Sequence, residues 1–387
     1  VIAGAGASGR EDGTSPALGV RSGQHPAVDA LLRLPGAVGW AAGDLRTIMR
    51  KVIVTGGAGF IGSHTVVELA AAGYEPVIVD DLRNSEARAL RGIADIIGRE
   101  PSFHRVDCTD KAAFGEVFHR EGPVHGVIHF AAYKAVGESV REPLMYYRNN
   151  VGSLITLLEL MAQHAVRRIV FSSSCTVYGQ PERLPVDETA PDRAANSPYG
   201  FTKVTCEQLL RDVHAAGGPA TVMLRYFNPI GAHPSAHIGE LPIGTPNNLV
   251  PFITQAAAGL RDSLTVHGDD YPTPDGSCVR DYLHVVDVAK AHVRALDWLE
   301  EQATPPCRAF NLGTGVGNSV LEVVRSFTAE TGVEVPYTIG PRRPGDVASV
   351  YADTRTSAEE LGWRTTLTLR DALRDAWRWQ QALRSGS

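Results

Sequence analysis

Tyr199 and Lys203, in "NSPYGFTK", stand four residues apart, and their types and spacing suit acid–base chemistry. At the start of a helix an i, i+4 pair lies on one face. A phenol with a reference pKa of about 10 is a poor base at neutral pH. The Lys203 ammonium is expected to favour the phenolate and lower that pKa, each unit being worth about 1.4 kcal/mol. Ser174, in "FSSSCTVYG", would then hydrogen-bond the oxygen being deprotonated. Alone, a Tyr–Lys pair is an ordinary surface feature, so its meaning depends on the elements that position it.

Two glycine-rich stretches carry the G-x-G-x-x-G pattern of a dinucleotide loop, one in "VIAGAGASGR" and one in "KVIVTGGAGFIGSH". Such a loop holds pyrophosphate only where a strand delivers it and a helix begins beyond it. The first, with Gly4, Gly6 and Gly9, has three residues ahead of it and "REDGTSPALGVRSGQHP" after it, with no helical periodicity. The second follows the apolar strand "KVIVT" and runs into "IGSHTVVELAAAGY", a helix ending at Gly73. Gly56, Gly59, Phe60, Ile61 and Gly62 are therefore the candidate cofactor-binding residues of the loop. "EPVIVDD" follows as a strand, with Asp80 at its end, 18 positions past Gly62. An acid there is expected to bond the adenine ribose and favour NAD over NADP, with Arg83 close by as the one group that would suit a 2′-phosphate.

Strand and helix keep alternating through "PSFHRVDC", "DKAAFGEVFHR", "HGVIHFAA", a long helix "NNVGSLITLLELMAQHAV" and "RRIVFSSSCTVYG". The fold class is α/β: a doubly wound parallel (Rossmann) sheet with a smaller C-terminal substrate-binding lobe. Ligands in such sheets lie beyond the carboxyl ends of the strands. That singles out Asp107 and Cys108, then Phe130, Ala131 and Lys134 in "FAAYK", and the serines 172–174. Residues 49–230 are expected to form the cofactor domain, and 231–387 mainly the lobe, with about 280–315 returning to the sheet. Met49 reads as a start, and residues 1–48 as a disordered extension. A secretory reading of "LLRLPGAVGWAAGD" is broken by Arg33 and Pro35.

The 387 residues carry a formal charge of −6, which disfavours nucleic acid and anionic membrane as partners. Five scattered cysteines without C-x-x-C spacing suit a reducing cytoplasm. His233 and His237 in "HPSAH" have an i, i+4 spacing, but Pro234 and the flanks make this a loop, and no metal site is expected. No apolar run approaches the ~18 residues of a membrane span.

Taken together, "VTGGAGFIGSH", "HFAAYKAVGESV", "FSSSCTVYG", "SPYGFTK", "RYFNPIGAHPS", "PNNLVP", "VRDYLHVVDVA", "NLGTGVGNSV" and "RRPGDVA" resemble the extended short-chain dehydrogenase/reductases, and within them the UDP-glucose (UDP-galactose) 4-epimerases. The resemblance spans Met49 to about Gln380. It implies Ser174, Tyr199 and Lys203 as catalytic residues, NAD as tightly held cofactor, and Lys134 and Asn149 beside it. It further implies Asn228, Asn248 and Leu249 near the sugar and uridine, Arg280 and Arg343 on the diphosphate, and Tyr282 and Asp346 near ribose and phosphates. The implied reaction moves a hydride from C4 of the sugar to NAD and back, through a 4-keto sugar that turns over between the two steps. A homodimer through helices around 142–164 and 198–215 is implied as well.

Several positions depart from relatives of this pattern. Related dehydratases carry adjacent Asp and Glu after the active-site residue, whereas Cys175 and Thr176 follow Ser174, so elimination lacks its acid and base. Cys175 reads as packing. His267 stands where an aromatic often stacks near the uracil. Val350, where a bulky Tyr is associated with excluding N-acetyl groups, implies that UDP-N-acetylhexosamines are interconverted too. Two alternatives stay open: an epimerase or decarboxylase of another nucleotide sugar such as UDP-glucuronate, and a non-catalytic nucleotide sensor.

Overall fold

Val52, Ile53 and Val54 are wholly buried, which requires a helical layer on each side of strand Lys51–Thr55 (β1). The computed structural model describes residues 50–191, 195–343 and 346–385. The first glycine stretch, Met49 and the expected extension lie outside the described residues. Around β1 stand Glu75–Val79 (β2), Ser102–His104 (β3), Val124–His129 (β4), Arg168–Ser174 (β5) and Ala220–Tyr226 (β6). With strand Cys307–Leu312 they form one seven-stranded sheet, in the order Cys307–Leu312, β6, β5, β4, β1, β2, β3, parallel throughout. This is the expected doubly wound sheet.

Alternation along the strands divides the core. Val52, Val54, Ile78, Ile128 and Val170 pack with Val66 and Leu69 of helix Phe60–Ala71 (α1) and with Ala295 and Leu296 of helix Val285–Glu301. Ile53, Val77, Val79, Val127 and Ile169 meet Phe114 of helix Lys111–Glu121, Leu154 and Leu157 of helix Gly152–Gln163, and Leu210 of helix Pro198–Ala215. Each fully buried aliphatic side chain contributes roughly 1.5–3 kcal/mol. A third cluster joins helices Leu249–Ala257, Val320–Thr331 and Leu369–Ser385 around Ile253, Phe327 and Leu373. Beside it run small sheets: Asn228–Ile230 with Tyr282–His284, Leu264–His267 with Tyr337–Gly340, and Val279–Arg280 between Asn318–Ser319 and Ser349–Val350.

Two sequence expectations change. The long helix of 149–166 is split into a π-helical turn, Tyr147–Val151, and the α-helix Gly152–Gln163. The wider turn contains Asn150, whose buried side chain bonds the backbone of Tyr133 and the Thr202 hydroxyl. The strand in "PSFHRVDC" stops at His104, because the Asp107 carboxylate turns the chain by accepting from the backbone and hydroxyl of Thr109.

Helix Pro198–Ala215 is tied to the sheet by a buried ion pair. Glu207 accepts from Arg225 of β6 at 2.9 and 2.6 Å and from Arg211 at 2.8 Å, while Ser173 of β5 donates to the same carboxylate. Ser197 caps this helix by accepting from Gly200 N, and Pro198 follows as its first residue. The cap fixes where the Tyr199 turn begins.

Candidate active site

The loop between β1 and α1 is shaped to receive a phosphate group. Gly56 has φ of +69°, and a Cβ there would lie 2.9 Å from Ala131 N. A Cβ on Gly62 would lie 2.2 Å from Gly56 O. α1 starts from Gly59 with no side-chain cap and no acid in its first turn, so its first N–H groups face outward uncapped. Phe60 and Ile61 form that turn. The residues present fit a dinucleotide.

Asp80, expected at a ribose, also braces the loop. Its carboxylate accepts from Ala58 N at 3.0 Å, Leu82 N at 2.9 Å and Ser85 Oγ at 2.7 Å, and burial raises its pKa. A carboxylate has about four acceptor positions, which leaves room for a hydroxyl. Arg83 does not stand free for a 2′-phosphate: it donates to Asp107 and to Tyr133, each at 2.9 Å. Cys108 is buried, and burial raises its thiol pKa. Phe130 and Ala131 follow β4 directly; Ala131 N reaches Thr55 Oγ1 at 3.3 Å.

Ser174 at the end of β5 and Tyr199 in the first turn of its helix are brought near each other, close enough for the serine to favour the phenolate, while Ser174 Oγ itself accepts from Thr176 N at 3.2 Å. Lys203 is 4% exposed, donates to Ser172 O at 2.7 Å, lies 4.8 Å from the Phe171 ring centre, and is 6.0 Å from that of Tyr199. The lowering of the phenol pKa is expected from Lys203 together with an oxidised nicotinamide, and the protein's own residues do not produce it alone. Burial pushes Tyr199 up to about 12 against the pull of Ser174, and pushes Lys203 down to about 8. Burial is the leading cause of both shifts, and the ammonium addresses a backbone carbonyl rather than the phenol oxygen, so it does not offset the burial of Tyr199 by a direct bond. Beside Ser174, the buried Thr176 hydroxyl has no hydrogen-bond partner among the described residues. Burial pushes the Cys175 thiol up to about 12, in keeping with a packing role.

Lys134 beyond β4 donates to Glu240 Oε1 at 3.2 Å, and Asn248 donates to the same oxygen at 2.5 Å. Asn248 is the N-cap of helix Leu249–Ala257, yet its side chain caps nothing there. Asn149 donates to Asn150 at 3.0 Å. Glu240 and Asn150 were not singled out from sequence; each acts by joining segments far apart in the chain, which no local pattern signals.

Arg280, Arg343 and Asp346 also come together. Asp346 receives Arg343 at 3.0 Å and faces Arg280 at 3.7 Å, and Arg280 further donates to the carbonyls of Val279 and Val347 at 2.8 Å each. Val350 pairs in register with Arg280 and is 6% exposed. Tyr282 is buried beside this group, and Asn228 pairs with it in register across two short parallel strands. His267 bonds the Pro341 carbonyl at 3.2 Å. His233 and His237 lie in a loop, where they bond Ser235 and Asp95.

A parallel sheet, a glycine loop leading into an uncapped helix at the end of β1, and a Ser–Tyr–Lys group at the end of β5, two strands away, define a Rossmann-fold protein with a dinucleotide cradle and an acid–base site on the same edge of the sheet. The NAD dependent epimerase/dehydratase family model matches residues 52–313. UDP-glucose 4-epimerase of Dictyostelium discoideum is 51% identical over 331 residues, 85% of this chain and 95% of that protein. The crystal structure of UDP-glucose-4-epimerase from Stenotrophomonas maltophila with bound NAD and formylated UDP-arabinopyranose superposes with a TM-score of 0.84 at 49% identity, covering 87% of this chain and all of that one. The enzyme from Bifidobacterium longum, in complex with NAD+ and UDP, gives a TM-score of 0.83 at 46% identity, with 87% and 100% covered. The chain belongs to the NAD dependent epimerase/dehydratase family.

Proposed function

We propose that this protein is an NAD-dependent UDP-sugar 4-epimerase that interconverts UDP-galactose and UDP-glucose. The observation that carries the reading is Ser174 and Tyr199 together at the end of β5, in the same parallel sheet whose β1 leads into the glycine loop, in a chain about half identical to UDP-glucose 4-epimerases over most of its length. Gly56, Gly59 and the first turn of α1 would hold the NAD pyrophosphate, Asp80 the adenine ribose, and Asp107, Cys108, Phe130, Ala131, Lys134 and Asn149 would line its path. When bound, NAD supplies an acceptor that takes the C4 hydride and gives it back.

Tyr199 removes the O4 proton and Ser174 holds that oxygen in place, so C4 passes through a ketone. Tyr199 begins near 12, too high to act at neutral pH; a cation must lower it, and Lys203 stands one helical turn away to contribute. Arg280 and Arg343 would grip the diphosphate, with Asp346 orienting both. Asn228, Asn248, Leu249 and Tyr282 would hold the uridine end. Strong anchors on the nucleotide and weak ones on the sugar let the ketone turn over and return with C4 inverted.

The same reading takes residues 231–387 mainly as the sugar-nucleotide lobe. Among the described residues no helix is long and apolar enough to cross a membrane, and the free thiols Cys108, Cys175, Cys206, Cys278 and Cys307 suit a reducing cytoplasm. Exposed Val140, Leu144, Ile155 and Phe201 on neighbouring helices suit a homodimer face, which light scattering would reject by finding a monomer. Buried, small Val350 favours turnover of UDP-N-acetylhexosamines as well.

The test is incubation of purified protein with UDP-galactose and no added NAD+, following UDP-glucose by anion exchange and cofactor released on denaturation. Conversion with NAD already bound is expected. Bound NAD without conversion of either sugar would overturn the proposed activity.

A further inference from the structure

The order β4, β1, β2, β3 puts the glycine loop of β1 between the ends of β4 and β2. Neighbouring strands lie about 4.8 Å apart, so the ends of β2 and β4 face each other across about 10 Å, with the loop in the gap. Arg83, past the end of β2, crosses that gap. Its guanidinium donates to Tyr133 Oη beyond β4 and to Asp107 beyond β3, both at 2.9 Å, and lies 3.3 Å from Asp81. Both footings are themselves hydrogen-bonded. The Tyr133 backbone is held by both ends of the Asn150 amide at 2.8 and 3.0 Å, and its ring packs on Tyr146. Asp107 is held by Thr109 through two bonds. Arg83 itself is 52% exposed, and its ion pairs are of the solvent-screened kind that open readily.

We propose that Arg83, spanning from Asp107 to Tyr133, is an arch over the cofactor cleft that retains bound NAD. The inference rests on the glycine loop being the NAD cradle. A reaction that lends a hydride and takes it back needs a cofactor that does not leave between turnovers, and a planar guanidinium with two fixed partners closes the cleft where a single charge would not. Asp81 and Asp107 balance the charge of Arg83, so the arch closes without offering a free cation to a 2′-phosphate.

The experiment measures exchange of bound NAD in purified holoprotein against excess isotopically labelled NAD+, by desalting and mass spectrometry, for wild type, Arg83→Ala, Arg83→Lys and Tyr133→Phe. Circular dichroism and melting temperature check the fold. Exchange at least tenfold faster in Arg83→Ala and Arg83→Lys, with Tyr133→Phe between these and wild type, is expected. Exchange in Arg83→Ala within twofold of wild type would overturn the arch, and so would full retention by Arg83→Lys, which keeps the charge but not the fork. Wild-type protein that neither carries nor takes up NAD would overturn the cradle reading beneath it.

Discussion

The ammonium of Lys203 sits 6.0 Å from the ring centre of Tyr199, and its 2.7 Å hydrogen bond goes to the Ser172 carbonyl instead of the phenol. Any action of Lys203 on Tyr199 is therefore by charge at a distance and not by a hydrogen bond.

A pH profile follows. Burial lowers Lys203 from 10.5 to about 8. Activity is expected to turn down as pH rises through about 8, where the charge is lost. Lys203→Arg, which keeps its charge, should shift that limb upward, and Lys203→Met should lower kcat by about 10²–10⁴ at neutral pH. Stability moves the other way. The folded protein releases this proton before the unfolded chain does, so the contribution of Lys203 to stability is lowest below pH 8 and rises between about 8 and 10.5. Superimposable activity profiles for wild type and Lys203→Arg would show that the charge is not used.

Gly62→Ala tests the cradle. The new Cβ would fall 2.2 Å from Gly56 O and 2.8 Å from Gly57 Cα, backbone that cannot retreat without opening the loop. Protein purified from this variant should carry about tenfold less NAD and be roughly 1–3 kcal/mol less stable. Gly73→Ala is the control: φ is +82° but the space is open, so it should lose about 1 kcal/mol and keep its NAD. Equal NAD content in wild type and Gly62→Ala would refute the cradle.

Val350→Tyr adds bulk beside Arg280 at a buried position. Turnover of UDP-N-acetylglucosamine should fall by tenfold or more relative to UDP-galactose, in line with the ~1–3 kcal/mol that a steric pocket contact discriminates. Equal loss on both sugars would mean that the substitution disturbs the site as a whole.

Glu207→Gln removes the carboxylate charge facing wholly buried Arg225. A broken buried pair costs about 3–5 kcal/mol, and the double change Glu207→Leu, Arg225→Met should recover most of it. Urea unfolding decides: a single-variant loss below about 1 kcal/mol would mean that the pair is inert.

The sheet was legible because burial on both faces writes itself into runs such as "KVIVT" and "HGVIHF", and the cradle because glycines, strand and helix must be consecutive. Tyr199 and Lys203 were legible because one helix carries both. The direction of the Tyr199 shift was not: spacing places a lysine one turn away but cannot say that its ammonium points to Ser172 O. The π-turn at Asn150 escaped for a similar reason, since its partners Tyr133 and Thr202 belong to other elements. Glu240 lies in "HIGELPIG", where nothing local marks an acid that reaches two distant side chains.

One oxygen of Glu240 takes hydrogen bonds from both Lys134 and Asn248, the residues proposed above to line the cofactor and to hold the uridine end. With those proposed roles, thermodynamic reciprocity would make any effect of the sugar nucleotide on cofactor affinity through this carboxylate equal to the effect of the cofactor on the sugar nucleotide. Under that reading the guest that comes and goes would set, at each visit, how firmly the permanent one is kept.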